Sequence, residues 1–243
     1  MDTKRICMWS GPRNVSTAFM YSFAQRSDTR VVDEPLYGHY LKITGVDHPG
    51  REEVLADMET NGTKVIEKVL LGTVDRPVLF IKNMGHHFID LPEHFLFELE
   101  NMFLIRSPEE MLPSLIKKIP NPVLLDTAYE LQYNIMQKIL QKGLKPIVID
   151  SKYLLLNPEK SMRLLCEALQ IPFEAVMLSW KAGARKEDGI WAKYWYSAVH
   201  QSTGFAPYQK KNEPVPPSLK ALLEECQFYY EKLSQYTINK EVI

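Results

Sequence analysis

The sequence has few cysteines and does not pair them. Cys7, Cys166 and Cys226 stand far apart, and no C-x-x-C occurs. This spacing supports neither a zinc knuckle nor a dithiol redox motif, and the odd, unpatterned count suits a reducing compartment. Cys7 and Cys166 lie in apolar runs and read as small core residues. No stretch approaches the roughly 20 apolar residues of a membrane-spanning helix. The first apolar run, Ile6–Trp9, is broken at Ser10-Gly11-Pro12 and is too short for a secretory leader. Formal net charge is only −1, without the basic excess of a general nucleic-acid or anionic-membrane binder. Repeats and low-complexity segments are also missing. These absences predict a soluble, cytoplasmic protein with no nucleic-acid or membrane partner.

Hydrophobic residues make up 45% and charged residues 24% of 243 positions, a globular balance with length enough to bury a large core. Short apolar runs at Ile6–Trp9, Val31-Val32, Val78–Lys82, Met102–Ile105 and Pro146–Asp150 predict strands. Helical spacing predicts helices over Asn14–Ser27, Arg51–Thr60, Lys64–Leu71, Glu109–Lys118, Asp126–Lys142, Pro158–Leu169 and Ser218–Ser234. Ser107 as N-cap, Pro108 at the first position and Glu109-Glu110 in the first turn mark one helix start. Leu36–Leu41 reads as helix or loop. Strands alternating with helices imply an α/β fold, three layers with a mostly parallel sheet and helices on both faces. No linker appears, so residues 1–243 are expected to form one domain. Residues 180–214 lose periodicity, are basic and aromatic, and carry three of the four tryptophans; so long an irregular stretch is usually functional or mobile.

The segment with most chemical content is Arg5–Thr17, RICMWSGPRNVST. A strand, a tight loop and a helix start make a cradle for an anion, with N–H groups and the positive end of the helix dipole directed at it. Arg13 adds a planar, always-charged fork, and Ser16 and Thr17 add hydroxyls. The spacing is not G-x-x-x-x-G-K-[ST]: counted from Gly11, the second glycine position holds Ser16 and the lysine position Thr17. An ordinary strand–turn–helix junction with a surface arginine is the competing explanation. Further candidates sit where strands end, the edge at which α/β sheets hold ligands. Asp33-Glu34-Pro35 follows the second strand; Pro35 keeps Glu34 out of helix geometry. Glu34 is a functional candidate, whereas Asp33 reads as a solvated loop acid. Lys82 ends the third strand, where it either snorkels or meets an anion. His86 and His87 are adjacent and cannot both face one site. Arg106 ends the fourth strand beside a positive helix start, which calls for an anion or an acid.

Three of these segments together resemble the sulfotransferase family. Pro12-Arg13-Asn14-Val15-Ser16-Thr17 is similar to its loop for a 5′-phosphosulfate. Arg106, Pro108 and Ser114 resemble its 3′-phosphate motif. Gly189-Ile190-Trp191, after Arg185-Lys186, is similar to its late cofactor-closing segment. Asp150–Pro158 and the helix to Ile171 resemble its fourth strand and following helix, and Asp33–Tyr37 (DEPLY) resembles a small sulfotransferase-like group. The resemblance spans roughly residues 4–195. It implies a P-loop-type fold and 3′-phosphoadenosine 5′-phosphosulfate as cofactor, held by Gly11, Pro12, Arg13, Asn14, Val15, Ser16, Thr17, Arg106, Ser114, Arg185, Lys186, Gly189 and Trp191. It implies in-line sulfuryl transfer to a hydroxyl or amine of a small or macromolecular acceptor, with no metal. Arg13 and Lys82 are the expected charge-stabilising cations. The expected base is Glu34, with His86 second, because Met84 stands where some family members have a histidine. Val15 stands in place of the usual loop glycine. Tyr37, His39, Tyr40, Tyr194, Trp195 and Tyr196 either line an acceptor pocket or belong to the core. The competing functions are another P-loop phosphotransferase, such as a small-molecule kinase, or a non-catalytic nucleotide binder.

Overall fold

A computed structural model describes residues 3–210 and 213–242. Five strands form one sheet: β1 (Lys4–Ser10), β2 (Thr29–Asp33), β3 (Val78–Met84), β4 (Glu100–Ile105) and β5 (Ile147–Asp150). Their order is β2-β3-β1-β4-β5 and every pairing is parallel. The fold class is therefore the α/β arrangement expected from the alternation of elements. Alternate residues of each strand enter different cores. Cys7, Trp9, Leu79, Ile81, Phe103 and Ile105 pack on one face, and Ile6, Met8, Phe80, Met102, Leu104 and Ile149 on the other. Burial on both faces is why the strands read as unbroken apolar runs.

The helices are α1 (Ser16–Phe23), α2 (Tyr37–Thr44), α3 (Arg51–Asp57), α4 (Gly62–Val65), α5 (Pro108–Leu115), α6 (Leu124–Thr127), α7 (Tyr129–Gln141), α8 (Ser151–Leu156), α9 (Pro158–Ala168), α10 (Ala192–Trp195), α11 (Ser197–His200) and α12 (Lys220–Ser234). Side chains from α4, α5, α7 and α12 fill the first core, and those from α1 and α9 fill the second. A third apolar cluster joins Tyr37, Tyr40 and Leu41 of α2 to Val54 of α3 and to Trp191, Ala192 and Tyr196. Among the described residues no helix is long and apolar enough to cross a membrane.

Several expected helices differ: the one over Asn14–Ser27 runs Ser16–Phe23, the one over Arg51–Thr60 ends at Asp57, and most of the one over Lys64–Leu71 is a π-helix, Ile66–Leu70. The one expected over Asp126–Lys142 is broken at Ala128, whose φ of 65° is left-handed. The Asp126 carboxylate accepts the Val123 N–H at 2.8 Å and closes a one-turn helix in front of the break. The redirected chain then buries Gln132, whose amide donates to the carbonyl of Trp9 at 2.8 Å. The one expected over Glu109–Lys118 ends at Leu115. Ser107 occupies its N-cap, but its side chain makes no capping hydrogen bond.

The chain crosses from β3 on one side of β1 to β4 on the other. The end of β1 is therefore the point at which an open parallel sheet leaves its crevice. At the far edge, residues 237–239 run beside β5: Thr237 pairs with Val148, and the Ile238 N–H donates to the Val148 carbonyl at 3.0 Å. Asn239 is fully buried; its side chain accepts from the Asp150 N–H (3.1 Å) and donates to the Asp150 carbonyl (3.1 Å) and to Ser161 Oγ (3.3 Å). This seam covers an edge strand that would otherwise be open to pairing. Asn239→Ala is expected to lower stability by about 2–3 kcal/mol, because it strands buried backbone groups. Urea unfolding checks this: the midpoint should fall at constant slope, and an unmoved midpoint would show that the seam holds nothing.

Candidate active site

Register brings the charged residues together. Asp33, the last residue of β2, lies opposite Lys82 of β3, and the Glu34 N–H donates to the Lys82 carbonyl at 2.7 Å. Glu34 has a φ of 42°, so its carboxylate turns back toward the same lysine. The Lys82 ammonium is fully buried. It donates to Asp33 Oδ1 at 2.8 Å, to Glu34 Oε1, and to the Tyr196 hydroxyl at 2.6 Å. Burial works against that charge, but the two carboxylates outweigh it and hold the ammonium above its ordinary pKa. Asp33 is thus not the solvated loop acid expected from the sequence: it is buried, and its Oδ2 also accepts from the Gly189 N–H (3.2 Å) and the Tyr196 hydroxyl (2.8 Å). Trp191 Nε1 donates to the Tyr196 oxygen at 3.2 Å. Burial first, and then the charges of Asp33 and Glu34, push the Tyr196 phenol well above its usual value, so it remains a donor.

The loop after β1 forms the second part of the site. Its left-handed residue is Arg13, with φ 54°, while Val15 has φ −85°. A β-branched residue is therefore accommodated where the family pattern has glycine. Gly11 is needed for space instead: a Cβ there would lie 3.0 Å from the Thr127 carbonyl. The Arg13 carbonyl accepts from Arg106 Nη1 (2.8 Å), and Asn14 Nδ2 donates to the Leu104 carbonyl (3.0 Å). Helix α1 has no side-chain cap, and the N–H groups of Ser16, Thr17 and Ala18 have no acceptor among the described residues. Arg13 Nε donates to Ser114 Oγ at 3.0 Å, and among the described residues no carboxylate lies within 4.0 Å of its guanidinium. Burial, and then the charge of Arg106, lower the Arg13 pKa. Arg106 meets the acid that its position called for, Glu110, at 3.4 Å.

These two parts face one cavity of about 370 Å³, within the usual range for small-molecule sites. Pro12, Arg13, Asn14, Val15, Ser16 and Thr17 line it, as do Glu34, Lys82, Arg106, Ser114, His86 and Trp191. Gly11 lies just behind the loop. Arg185, Lys186 and Gly189 are outside the lining. The Arg185 guanidinium rests on the Tyr21 ring, 4.5 Å from its centre, and Lys186 is exposed beside Glu187. Gly189 lies under the Trp191 ring, where a Cβ would collide at 2.1 Å. Among the expected pocket aromatics, Tyr37, Tyr40, Trp195 and Tyr196 line the cavity. His39 instead bonds the Ile89 carbonyl (2.9 Å), and the Tyr194 hydroxyl bonds Glu53 (3.0 Å).

Both adjacent histidines reach the cavity. His87 Nε2 lies 3.8 Å from Glu34 Oε2, and His86 packs behind it, 4.8 Å between ring centres. Burial, then for His87 the Lys82 charge and for His86 the His87 ring, lowers both well below the usual imidazole range, so both are neutral at pH 7. From the sequence Tyr196 is a pocket or a core aromatic; in the fold its hydroxyl is a structural hub. The available signal was its place in the aperiodic 180–214 stretch, which names a region and not an atom.

Similarity to known proteins agrees with this geometry. A family model described as sulfotransferase domain matches residues 4–234. Two Arabidopsis thaliana proteins, branched-chain-amino-acid aminotransferase-like proteins 1 and 2, are 43% identical over 229 residues and 42% identical over 226, covering 94% and 93% of this chain. The matched regions are 41% and 40% of those proteins, so the chain spans about two fifths of the length of these relatives. Among solved structures, a sulfotransferase from Alicyclobacillus acidocaldarius superposes with a TM-score of 0.57 at 7% identity, with 97% of each chain covered. The sulfotransferase domain of the Synechococcus PCC 7002 olefin synthase gives 0.51 at 15% identity over 97% of this chain and 96% of that one. These two establish likeness of fold, and the family match extends over nearly the whole sequence. The chain belongs to the sulfotransferase domain family.

Proposed function

We propose that the protein transfers a sulfuryl group from 3′-phosphoadenosine 5′-phosphosulfate to a hydroxyl or amine acceptor by in-line displacement. One observation carries the reading: an arginine with no carboxylate partner among the described residues, Arg13, and the uncapped first turn of α1 line the same cavity as Glu34 and Lys82. Unpaired N–H groups and a partnerless guanidinium are incomplete without an anion. The residues therefore fit a phosphate-bearing donor. Ser16, Thr17 and the first-turn N–H groups would hold the 5′-phosphate, and Arg106 with Ser114 the 3′-phosphate. Trp191 would border the adenosine side. When bound, the donor supplies an activated sulfuryl group whose acceptance leaves adenosine 3′,5′-bisphosphate behind.

The chain's own residues divide the remaining work. Arg13 and the α1 N-terminus neutralise charge that grows on the phosphate side. Glu34 takes the acceptor proton on Oε2, the oxygen that Lys82 leaves free. Lys82 orients Glu34 through its hydrogen bond and serves as the second cation. His86, one ring behind His87, is the reserve base.

Adenosine 3′,5′-bisphosphate at 100 times its dissociation constant should stabilise the fold by about 2.7 kcal/mol, a melting shift of roughly 5–10 °C at this size. A shift with Mg-ATP in its place would favour the kinase alternative. Arg106→Ala should weaken bisphosphate binding by about 1.5–3 kcal/mol, the scale of a charged hydrogen bond; calorimetric affinity unaltered by the change would remove Arg106 from the site. Glu34→Gln should lower turnover by about 10²–10⁴-fold, as expected for a general base, with bisphosphate affinity retained. Sulfuryl transfer measured with labelled donor decides this, and full activity in the variant would pass the role to the histidines.

A further inference from the structure

The half of the cavity around Tyr40 is walled by rings. Tyr40 packs against His86 (4.7 Å between centres), His87 (5.1 Å) and Tyr37 (6.5 Å), and Trp195 packs against His48 at 6.1 Å. Acids outnumber cations there: Lys82 is a single cation facing two carboxylates, Asp33 and Glu34. The Asp126 carboxylate lines the same half and has no cation within 4.0 Å among the described residues. It is close enough to act electrostatically on both Tyr40 and His48. The imidazoles around it add no balancing charge, since His86 and His87 are neutral at pH 7.

Hydrogen-bonding capacity is also left over. His86 Nδ1 and both nitrogens of His87 are buried without a partner, although each ring lines the cavity; the two residues are 6% and 0% exposed. Buried polar groups are rarely left so, and these three atoms therefore point to a polar group on a ligand. An anionic acceptor would meet like charge. A neutral one would leave Asp126 without a counter-charge, its one hydrogen bond being to the Val123 N–H. A cation satisfies Asp126 and gains the attraction of the aromatic faces. The cavity of about 370 Å³ must take the reacting end of this acceptor together with the phosphosulfate end of the donor, so the part of the acceptor inside it is small.

We propose that the acceptor end binds a small cationic alcohol, with its ammonium or quaternary ammonium group held by Tyr37, Tyr40, Trp195 and Asp126 and its hydroxyl turned toward Glu34 and His87. This inference rests on the sulfotransferase reading of the same cavity. In the transfer, the acceptor oxygen forms a bond to sulfur while the bond from sulfur to the 5′-phosphate oxygen breaks. The electron pair leaves on that phosphate, and the hydroxyl proton passes to Glu34.

Calorimetric titration of the full chain, with adenosine 3′,5′-bisphosphate present, tests the class of acceptor. The probes are choline, its neutral isostere 3,3-dimethylbutan-1-ol, phenol and 4-hydroxybutanoate. Choline should bind at least about tenfold more tightly than the isostere, the scale of a desolvated cation–aromatic contact. Asp126→Asn keeps an oxygen for the Val123 N–H and should erase that preference. Tyr40→Leu should weaken choline by about tenfold, whereas Tyr40→Phe, which keeps the aromatic face, should not. Equal or tighter binding of the isostere, phenol or 4-hydroxybutanoate overturns the proposal, as does a preference that survives Asp126→Asn. A bisphosphate that fails to bind defeats the donor reading; a bisphosphate that binds while choline does not defeats this inference alone.

Discussion

A lysine ammonium with no access to water organises this site. Removing such a charge from solvent is expensive, and it is tolerated only with close counter-charges and complete hydrogen bonding. Lys82 has both: two carboxylates and a phenol oxygen surround its three protons. Strand register supplies Asp33, and the turn after β2 supplies Glu34. Tyr196 arrives from more than 100 residues later in the chain. The irregular segment after residue 180 is therefore not laid over the cavity by apolar packing alone. Gly189, Trp191 and Tyr196 are fastened, directly or through one another, to the Asp33 carboxylate. Loss of the Asp33–Lys82 pair would free the roof of the site as well as its floor.

Backbone strain is stored at two neighbouring points. Arg13 and Glu34 both adopt left-handed φ, a conformation that costs an ordinary residue about 1–2 kcal/mol. Each is held by bonds that would not form otherwise: the Arg106 bond to the Arg13 carbonyl, and the Lys82 bonds to Glu34. Both side chains line the same cavity. Positive φ at residues that line a site is a common mark of enforced geometry.

Much of this was readable in the sequence, for definite reasons. Strands buried on both faces give continuous apolar runs, so their ends could be found, and the ends supplied Arg13, Glu34, Lys82 and Arg106. What the runs do not encode is which strands become neighbours. Asp33 looked like a solvated acid because nothing local says that β3 would lie beside β2 and place Lys82 opposite it. The break at Ala128 was hidden because alanine favours helix; a tertiary demand, Gln132 reaching the Trp9 carbonyl, overrides that preference. Arg185 and Lys186 carry charges suited to a nucleotide, yet the structure places one against Tyr21 and the other in solvent. Residue type indicates what a side chain can bind, whereas the fold decides what it faces.

The same cluster bears on the proposed role of Glu34, a base that is itself paired with an ammonium. A carboxylate in a private ion pair would resist protonation, because neutralising it would strand a buried ammonium. Lys82 is not limited to one partner: were Glu34 to take a proton in the proposed transfer, the ammonium would still donate to the Asp33 carboxylate and the Tyr196 oxygen. Tyr196 in turn donates to Asp33 and anchors it. Two acids on one lysine would thus let the proposed base accept a proton without stranding a buried cation. On that reading Asp33 is needed without touching substrate.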